Sequence, residues 1–149
     1  MSTTSRHADC GPESVWAVLA DGWAYASWVV GASRIRAVDG HWPATGARIH
    51  HSVGVWPLLI NDSTSVEASD PGRRLLLRAR AWPTGEALVD ISVEPSDGGC
   101  LVTITEDAAS GPARLIPSVV RHRLLDARNV ETLRRLTLLS EGHARGERT

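Results

Sequence analysis

Phenylalanine is absent from the sequence and tyrosine occurs once, so the six tryptophans provide nearly all of its aromatic surface. An indole packs well but carries an N–H that needs an acceptor when it is buried. Cysteine is also scarce. Cys10 and Cys100 are too few for a disulfide scaffold, and no cysteine or histidine cluster has zinc spacing. A chain of 149 residues must then rely on a hydrophobic core, which it is long enough to form.

Two further features are missing, an excess of positive charge and a long apolar run. Lysine is absent, and 16 arginines against 17 acidic residues give a net charge of −1, which argues against a nucleic-acid binder. No apolar run approaches the roughly 18 residues of a transmembrane helix, and residues 1–6 lack the apolar core of a signal peptide. We expect one soluble, cytoplasmic domain over residues 1–149, and no motif indicates a metal or another cofactor.

Periodicity and turn residues predict short helices followed by a series of strands. A first strand is expected over residues 3–10, and Gly11-Pro12-Glu13 then opens a helix that Gly22 stops. A second short helix is expected over 24–30. From residue 33 onward the pattern alternates, and turn residues separate strands at 33–39, 47–56, 59–68, 74–82, 86–95 and 100–107. Because no helix lies between these strands, they are expected to form an antiparallel meander.

The hairpin around Pro83-Thr84-Gly85 provides a test of the alternation. If Trp82 and Glu86 flank the loop, then Leu75, Leu77 and Ala79 lie opposite Val93, Ile91 and Val89, and Arg74 and Arg78 lie opposite Glu94 and Asp90. One face is then apolar, and the other pairs opposite charges. A slip of one residue would place the arginines in the core, so the pattern specifies which side chains face inward.

The longest helix is predicted for residues 112–142. At about 100° per residue, its main apolar stripe contains Ile116, Val119, Val120, Ala127, Val130 and Leu138, and Leu125, Leu136 and Leu139 fall roughly opposite. A helix with two apolar stripes needs partners on two sides. A curved sheet can cover one side, and a ligand cavity, another element or a second subunit of a homodimer can cover the other. Asn129 lies away from the main stripe and is interpreted as a cap or surface contact, and Arg128 as part of a solvated face.

Several short stretches carry a family resemblance that extends over nearly the whole chain. They are residues 12–19 (PESVWAVL) with Asp21, Trp28-Val29, residues 46–49 (GARI), Asp70-Pro71 before Arg74-Leu75, Gly111-Pro112 and residues 129–136 (NVETLRRL). In these stretches the chain resembles the START-like or SRPBCC superfamily, the birch-pollen-allergen fold, and within it bacterial polyketide cyclase/dehydrase-like proteins. The resemblance implies an α+β helix-grip fold (β-α-α-β6-α), in which a curved antiparallel sheet wraps around the C-terminal helix and encloses a cavity. Since this fold hosts carriers, receptors, cyclases and hydrolases, it does not establish a function.

The same resemblance places the first strand beside the last. Cys10 ends the first strand and Cys100 starts the last, so the two sulfurs are expected to be neighbours. With no secretion signal in the chain, we predict two free thiols and no disulfide bond.

Three polar residues are candidate catalytic groups because the alternation turns them inward. His51 is a candidate cavity base or donor, although a backbone carbonyl can equally satisfy its ring. Glu106 is an inward carboxylate that must find a partner, unless the strand frays there and leaves it solvated. Asp62 can pair with His51 or Arg34, or can belong to a turn formed by Asn61-Asp62-Ser63.

The predicted ligand contacts are aromatic and aliphatic. Trp42, Trp56 and Trp82 each precede a proline near a strand end, and fit either an indole rim around an opening or packing at the edge of the core. The remaining predicted contacts come from the inner face of the sheet and from the long helix: Leu77, Val89, Ile91, Val120 and Leu124. The other three tryptophans, Trp16, Trp23 and Trp28, are expected in the core.

Two functions of different classes fit these features. The first is binding of a small hydrophobic molecule, such as a polyketide, a fatty acyl chain or an isoprenoid, in the internal cavity. The second is an enzyme of the cyclase or dehydratase kind, in which His51 with Glu106 or Asp62 moves a proton next to a carbonyl. A helper domain with a filled core is a third alternative, and the state of the cavity distinguishes it from the other two.

Overall fold

One antiparallel sheet and one long helix dominate the computed structural model, which describes residues 2–30, 32–53, 60–81, 85–110, 115 and 117–146. The elements are β1 (Ser2–Ala8), α1 (Pro12–Ala20), a 3₁₀ turn (Gly22–Ala24), α2 (Tyr25–Trp28), β2 (Ala32–Val38), β3 (Arg48–Val53), β4 (Ile60–Asp70), β5 (Arg74–Ala81), β6 (Gly85–Ser96), β7 (Gly99–Ser110) and α3 (Ser118–Gly146). The described strands follow the order β1-β7-β6-β5-β4-β3-β2. The sheet is curved, and α3 packs against β1, β7, α1 and α2. The predicted α+β helix-grip fold is therefore confirmed.

Local sequence features account for the first elements. Proline is the first residue of α1, where its missing N–H leaves no hydrogen bond unmade, and Glu13 lies in the first turn of the helix. After α1 ends, the Asp21 carboxylate accepts a hydrogen bond from the backbone N–H of Trp23 at 3.1 Å and so starts the 3₁₀ turn. Strand β1 is somewhat shorter than the predicted 3–10, yet it pairs over its whole length with β7.

The predicted inward face of the β5–β6 hairpin is right, but the predicted partners are wrong by two residues. Leu77 lies opposite Val89 where Ile91 was expected, and Leu75 lies opposite Ile91. The closing pair is Ala81 with Gly85, so β6 begins one residue earlier than predicted and β5 ends one residue earlier. A shift of two residues keeps every side chain on its own face, because the strand repeat is also two.

The core lies between the concave face of the sheet, α1 and the second half of α3. Its side chains include Val15, Leu19, Leu75, Leu77, Ile91, Val93, Val102, Ile104, Leu133 and Leu136, all 3% exposed or less. The short helices and α3 therefore cover one sheet face, and the outer face carries charge pairs. On that face Arg74 donates to Asp90 at 2.7 Å, and Arg78 donates to Glu67 and Glu86 at 2.8 Å each.

Of the two predicted apolar stripes of the long helix, the main one is not the side that the sheet covers. Val119, Val120, Val130 and Leu138 are 66%, 48%, 55% and 45% exposed, so this stripe faces away from the sheet. The described helix also begins later than predicted, at Ser118, directly after Pro117.

The buried face of α3 is largely polar, which explains why hydrophobic periodicity selects the opposite face. It consists of Asn129, Thr132, Leu133, Leu136, Thr137 and Ser140, all at most 4% exposed. The hydroxyls of Thr137 and Ser140 donate to the carbonyls of Leu133 and Leu136 at 2.9 and 2.7 Å. Hydroxyls that bond to their own helix can be buried without an outside partner, and these small side chains let α3 approach its neighbours closely. The interpretation of Asn129 as a surface residue is therefore wrong, since it is 2% exposed.

Cys10 and Cys100 are buried free thiols, close enough that each affects the pKa of the other, which agrees with the prediction. Their approach depends on Gly99, because a Cβ at that position would overlap the carbonyl oxygen of Ala8. Burial, together with the neighbouring Cys100 and Glu141, raises the pKa of the Cys10 thiol to about 11. Burial also raises the pKa of Cys100. Both groups are thus protonated and weakly nucleophilic at neutral pH.

Candidate functional site

A small cavity lies between the sheet and the middle of α3. Its volume is about 20 Å³, which is room for roughly one water molecule. The sheet and the start of the α2–β2 connection contribute apolar walls, Val29, Leu77, Ala79, Val89 and Ile104. The helices and the end of β7 contribute polar groups, Tyr25, Trp28, Glu106, Arg128, Asn129 and Thr132. The cavity therefore combines an aliphatic wall with a cluster of hydrogen-bonding groups.

An ion pair between β7 and α3 closes one part of this cavity. Glu106 is 3% exposed, and its Oε2 accepts a hydrogen bond from Nη1 of Arg128 at 2.6 Å. Arg128 also donates from Nε to the backbone carbonyl of Val30 at 3.0 Å. The guanidinium thus joins β7, α3 and the segment after α2. The interpretation of Arg128 as part of a solvated face is wrong, since two-thirds of its side chain is covered.

A chain of hydrogen-bonded side chains runs from His51 to the cavity. Nε2 of His51 lies 2.8 Å from Oγ1 of Thr64, and this hydroxyl lies 3.0 Å from Oη of Tyr25. The Tyr25 and His51 rings also stack, with centroids 5.7 Å apart and an angle of 17° between their planes. All three residues are buried, and Tyr25 lines the cavity. His51 is therefore connected to the cavity through two hydroxyl groups.

Burial keeps the members of this chain uncharged. It lowers the pKa of His51 below the ordinary value of 6.5, and the nearby Asp62 carboxylate opposes this effect without overcoming it. Burial also raises the pKa of Tyr25, while its bond to Thr64 works in the opposite direction. At neutral pH the chain consists of a neutral imidazole and two neutral hydroxyls. Such groups can exchange protons along the chain without placing a net charge in the core.

Three buried nitrogens at or near the site have no hydrogen-bond partner among the described residues. They are Nε1 of Trp28, Nδ2 of Asn129 and Nδ1 of His51. Trp28 and Asn129 are each 2% exposed and both line the cavity. Native proteins pair nearly all buried polar groups, so the two unpaired donors that line the cavity, on Trp28 and Asn129, mark a place where another molecule can supply the acceptor.

The predicted catalytic residues are distributed over two places. His51 and Glu106 are both buried, as inward-facing groups should be, but Glu106 pairs with Arg128, and Nε2 of His51 pairs with Thr64. Asp62 lies opposite His51 in the β3–β4 ladder and is partly buried, and its Oδ1 accepts a hydrogen bond from the backbone N–H of Ser63 at 2.9 Å.

The predicted ligand contacts also separate into groups. Leu77 and Val89 line the cavity, whereas Ile91 is fully buried in the core. The expectation that Val120 and Leu124 contact a ligand is wrong for this cavity, because they lie on the outer face of α3, 48% and 61% exposed.

Among the described tryptophans, Trp42 takes one of its two predicted alternatives and Trp23 differs from prediction. Trp42 is 9% exposed and its Nε1 donates to the Leu19 carbonyl at 3.1 Å, so it belongs to the edge of the core and not to a rim. Trp23, expected in the core, is 60% exposed. Trp56 and Trp82 lie outside the described residues.

Sequence reasoning missed the residues that contribute most to the site, namely Tyr25, Trp28, Thr64, Arg128 and Asn129. Thr64 carried a usable signal, because it shares the inward parity of Val66 on β4. The N–H that a buried tryptophan must pair was a signal for Trp28. Arg128 and Asn129 carried none, since the apolar stripe of the helix pointed to the opposite face.

Comparison with known proteins decides the family. A family model described as "Polyketide cyclase / dehydrase and lipid transport" matches residues 2–141. The chain belongs to this family. No curated protein sequence matches the chain.

Several solved structures have a fold similar to that of this chain. A protein from Rhodobacter sphaeroides has 22% identity and a TM-score of 0.69, with 92% of this chain and 89% of that chain covered. Ara h 8.0201 has 12% identity and a TM-score of 0.68, with 97% and 96% covered. The di-domain ARO/CYC StfQ from the steffimycin biosynthetic pathway has 12% identity and a TM-score of 0.71, with 97% of this chain and 50% of StfQ covered. At these identities the likeness concerns the fold alone.

The described residues lack two further features. They contain no group of three or more histidine, cysteine, aspartate or glutamate side chains placed to hold a metal ion. Among the same residues, no helix combines the length and the apolar character that crossing a membrane requires.

Proposed function

We propose that this member of the family binds a small hydrophobic molecule of the polyketide, fatty acyl or isoprenoid kind between the sheet and α3. The observation that carries the proposal is the aliphatic wall formed by Leu77, Ala79, Val89 and Ile104. These four side chains from β5, β6 and β7 line a cavity, and the facing part of α3 offers Arg128, Asn129 and Thr132 in place of apolar side chains. Because the described residues of α3 place no apolar side chains against this apolar wall, the wall can bind an apolar ligand.

The volume of the cavity limits how this binding can occur. About 20 Å³ accommodates roughly one water, so a guest of this size class must displace side chains or the first half of α3. That half is held less firmly than the rest of the helix. None of the described side chains of residues 118–128 is buried, whereas the rest of the helix buries Leu133 and Leu136, which are at most 1% exposed. Segments with few buried apolar contacts open at lower free energy than well-packed ones.

Filling the cavity by mutation tests the binding proposal. Ala79→Phe is expected to occupy the space beside Val89 and to abolish binding of the neutral dye N-phenyl-1-naphthylamine. Ala37→Phe is the matched control, because Ala37 lies exposed on β2. Dye fluorescence gives the affinity, and circular dichroism checks that each variant is folded. Equal dye affinity in wild type, Ala79→Phe and Ala37→Phe would show that the dye binds elsewhere.

The enzyme hypothesis is a second candidate, and the chain from His51 through Thr64 to Tyr25 favours it. In this alternative a neutral His51 exchanges a proton with a substrate carbon or oxygen beside a carbonyl, by way of the two hydroxyls. Glu106 is engaged by Arg128 at 2.6 Å, so in this proposal it positions the arginine and does not act as a base.

Deuterium exchange separates the two candidates. Acetophenone in D₂O exchanges its methyl protons slowly, and proton NMR follows the exchange directly. An enzyme of this kind is expected to accelerate the exchange, and His51→Gln and Tyr25→Phe should each remove the acceleration. A protein that binds acetophenone without accelerating exchange is a binding protein toward this probe.

A further inference from the structure

Two buried N–H groups line the same cavity and lack an acceptor. Nε1 of Trp28 comes from α2 and Nδ2 of Asn129 from α3, and neither atom has a partner among the described residues. Both side chains are 98% buried, so solvent at the surface does not satisfy them. An indole nitrogen and an amide nitrogen can only donate, so whatever pairs with them must offer an acceptor atom.

The charges around the cavity indicate whether the acceptor for these two N–H groups is charged or neutral. Of the described residues that line it, Arg128 is the cation, and its guanidinium is already bound to the Glu106 carboxylate and to the Val30 carbonyl. A carboxylate or phosphate in the same space would approach Glu106 without an unengaged cation to neutralise it. A neutral oxygen meets no such repulsion and still accepts both hydrogen bonds.

We infer that Trp28 and Asn129 form a site for an uncharged carbonyl oxygen, and that the ligand of this protein is an apolar ketone-bearing molecule and not a carboxylic acid. This inference rests on the proposed function, because it supplies the polar end of the ligand whose apolar body lies against Leu77, Ala79 and Val89. In the absence of a ligand, one water molecule fits the volume and takes the place of the carbonyl oxygen. The ligand oxygen then replaces that water with no loss of hydrogen bonds at the two donors.

The site predicts a selectivity that three small probes of similar shape can measure. Acetophenone carries the carbonyl oxygen, ethylbenzene lacks it, and benzoate carries a charged carboxylate in its place. Wild-type protein is expected to bind acetophenone more tightly than ethylbenzene and benzoate most weakly. Trp28→Phe and Asn129→Leu should each lower the ratio of acetophenone affinity to ethylbenzene affinity about 2- to 10-fold, as expected for one lost hydrogen bond. Trp23→Phe is the matched control, because Trp23 is 60% exposed.

A measurement on the wild type alone keeps the inference testable if a variant fails to fold. The infrared carbonyl stretch of bound acetophenone should lie below its value in hexane, because hydrogen bonds lower that frequency. A bound frequency equal to the hexane value overturns the oxygen site.

The outcomes separate the two proposals. Equal affinity for acetophenone and ethylbenzene, unaffected by Trp28→Phe, overturns the oxygen site and leaves hydrophobic binding standing. Tighter binding of benzoate than of acetophenone overturns the exclusion of acids. If neither neutral probe nor N-phenyl-1-naphthylamine binds the wild type, the proposed function and this inference fall together.

Discussion

Arg128→Met removes the cation that pairs with the buried Glu106 carboxylate and keeps most of the apolar stem of the side chain. The carboxylate, 3% exposed, is then left without its 2.6 Å partner. Breaking a buried pair in this way costs about 3–5 kcal/mol, and the lost bond to the Val30 carbonyl adds about 0.5–1.5 kcal/mol. Against a total stability of about 5–15 kcal/mol this is a large loss. At about 2–4 °C per kcal/mol, the melting temperature should fall by roughly 7–26 °C.

Replacing Glu106, the other member of the ion pair, is expected to destabilise the protein less than Arg128→Met. Glu106→Gln leaves Arg128, whose side chain is 33% exposed and can turn its guanidinium toward water. The double variant Glu106→Gln/Arg128→Met buries no charge, so it should be more stable than Arg128→Met alone. Urea unfolding followed by far-UV circular dichroism, at one pH and ionic strength, gives the free energies of unfolding of all three variants.

Arg74→Met serves as the surface control. Arg74 and Asp90 also lie 2.7 Å apart, but on the solvated face of the sheet, where an ion pair contributes little. The reasoning is refuted if Arg128→Met destabilises the protein no more than Arg74→Met. It is equally refuted if the double variant is no more stable than Arg128→Met.

Three further outcomes follow from burial. Because burial lowers the pKa of His51, its contribution to stability is fully present above about pH 6.5 and is lost as pH falls through the lower folded-state pKa; His51→Gln should flatten this part of the pH–stability curve, and parallel curves would contradict the burial of the ring. Because the pKa of Cys10 is raised to about 11 and that of Cys100 is also raised, thiol titration of the folded protein should be slow, whereas the unfolded, unreduced protein should show two thiols; finding none would mean a disulfide. Leu77→Asp, at a position 1% exposed, should unfold the protein or lower its melting temperature sharply, while Arg78→Gln on the outer face should have a small effect; similar effects in thermal melts would contradict the assigned faces.

The architecture was predictable because strand alternation and turn residues act locally. Leu75, Leu77, His51 and Glu106 all face inward as their parity indicates. The exact partners across the β5–β6 hairpin were not predictable, since a shift of two residues satisfies the same alternation and comparable charge pairs. Arg78, for example, finds Glu86 on the neighbouring strand where Asp90 was expected.

The site was less predictable because it depends on the rotation of α3. The face of α3 that packs against β1, β7 and the short helices determines this rotation. That face carries mainly small or polar side chains and few large apolar ones. Thr137 and Ser140 bond to their own helix and allow close contact, and this places Arg128 and Asn129 over the cavity. Hydrophobic periodicity measures apolar character alone and therefore selects the face that carries Val130 and Leu138.

The pairing of β1 with β7 has a consequence for synthesis of the chain. Ser2–Ala8 leaves the ribosome about 90 residues before its only neighbour in the described sheet, Gly99–Ser110. At about 5–20 residues per second, β1 therefore waits roughly 5–20 s before its partner strand exists. Helix α3, which covers β1 and supplies Glu141 as acceptor for the N–H of Asp9 at 2.8 Å, emerges later still. The edge of the native sheet at β1 thus forms only after β7 has been synthesised, and until then the nascent β1 is a strand without its sheet partner.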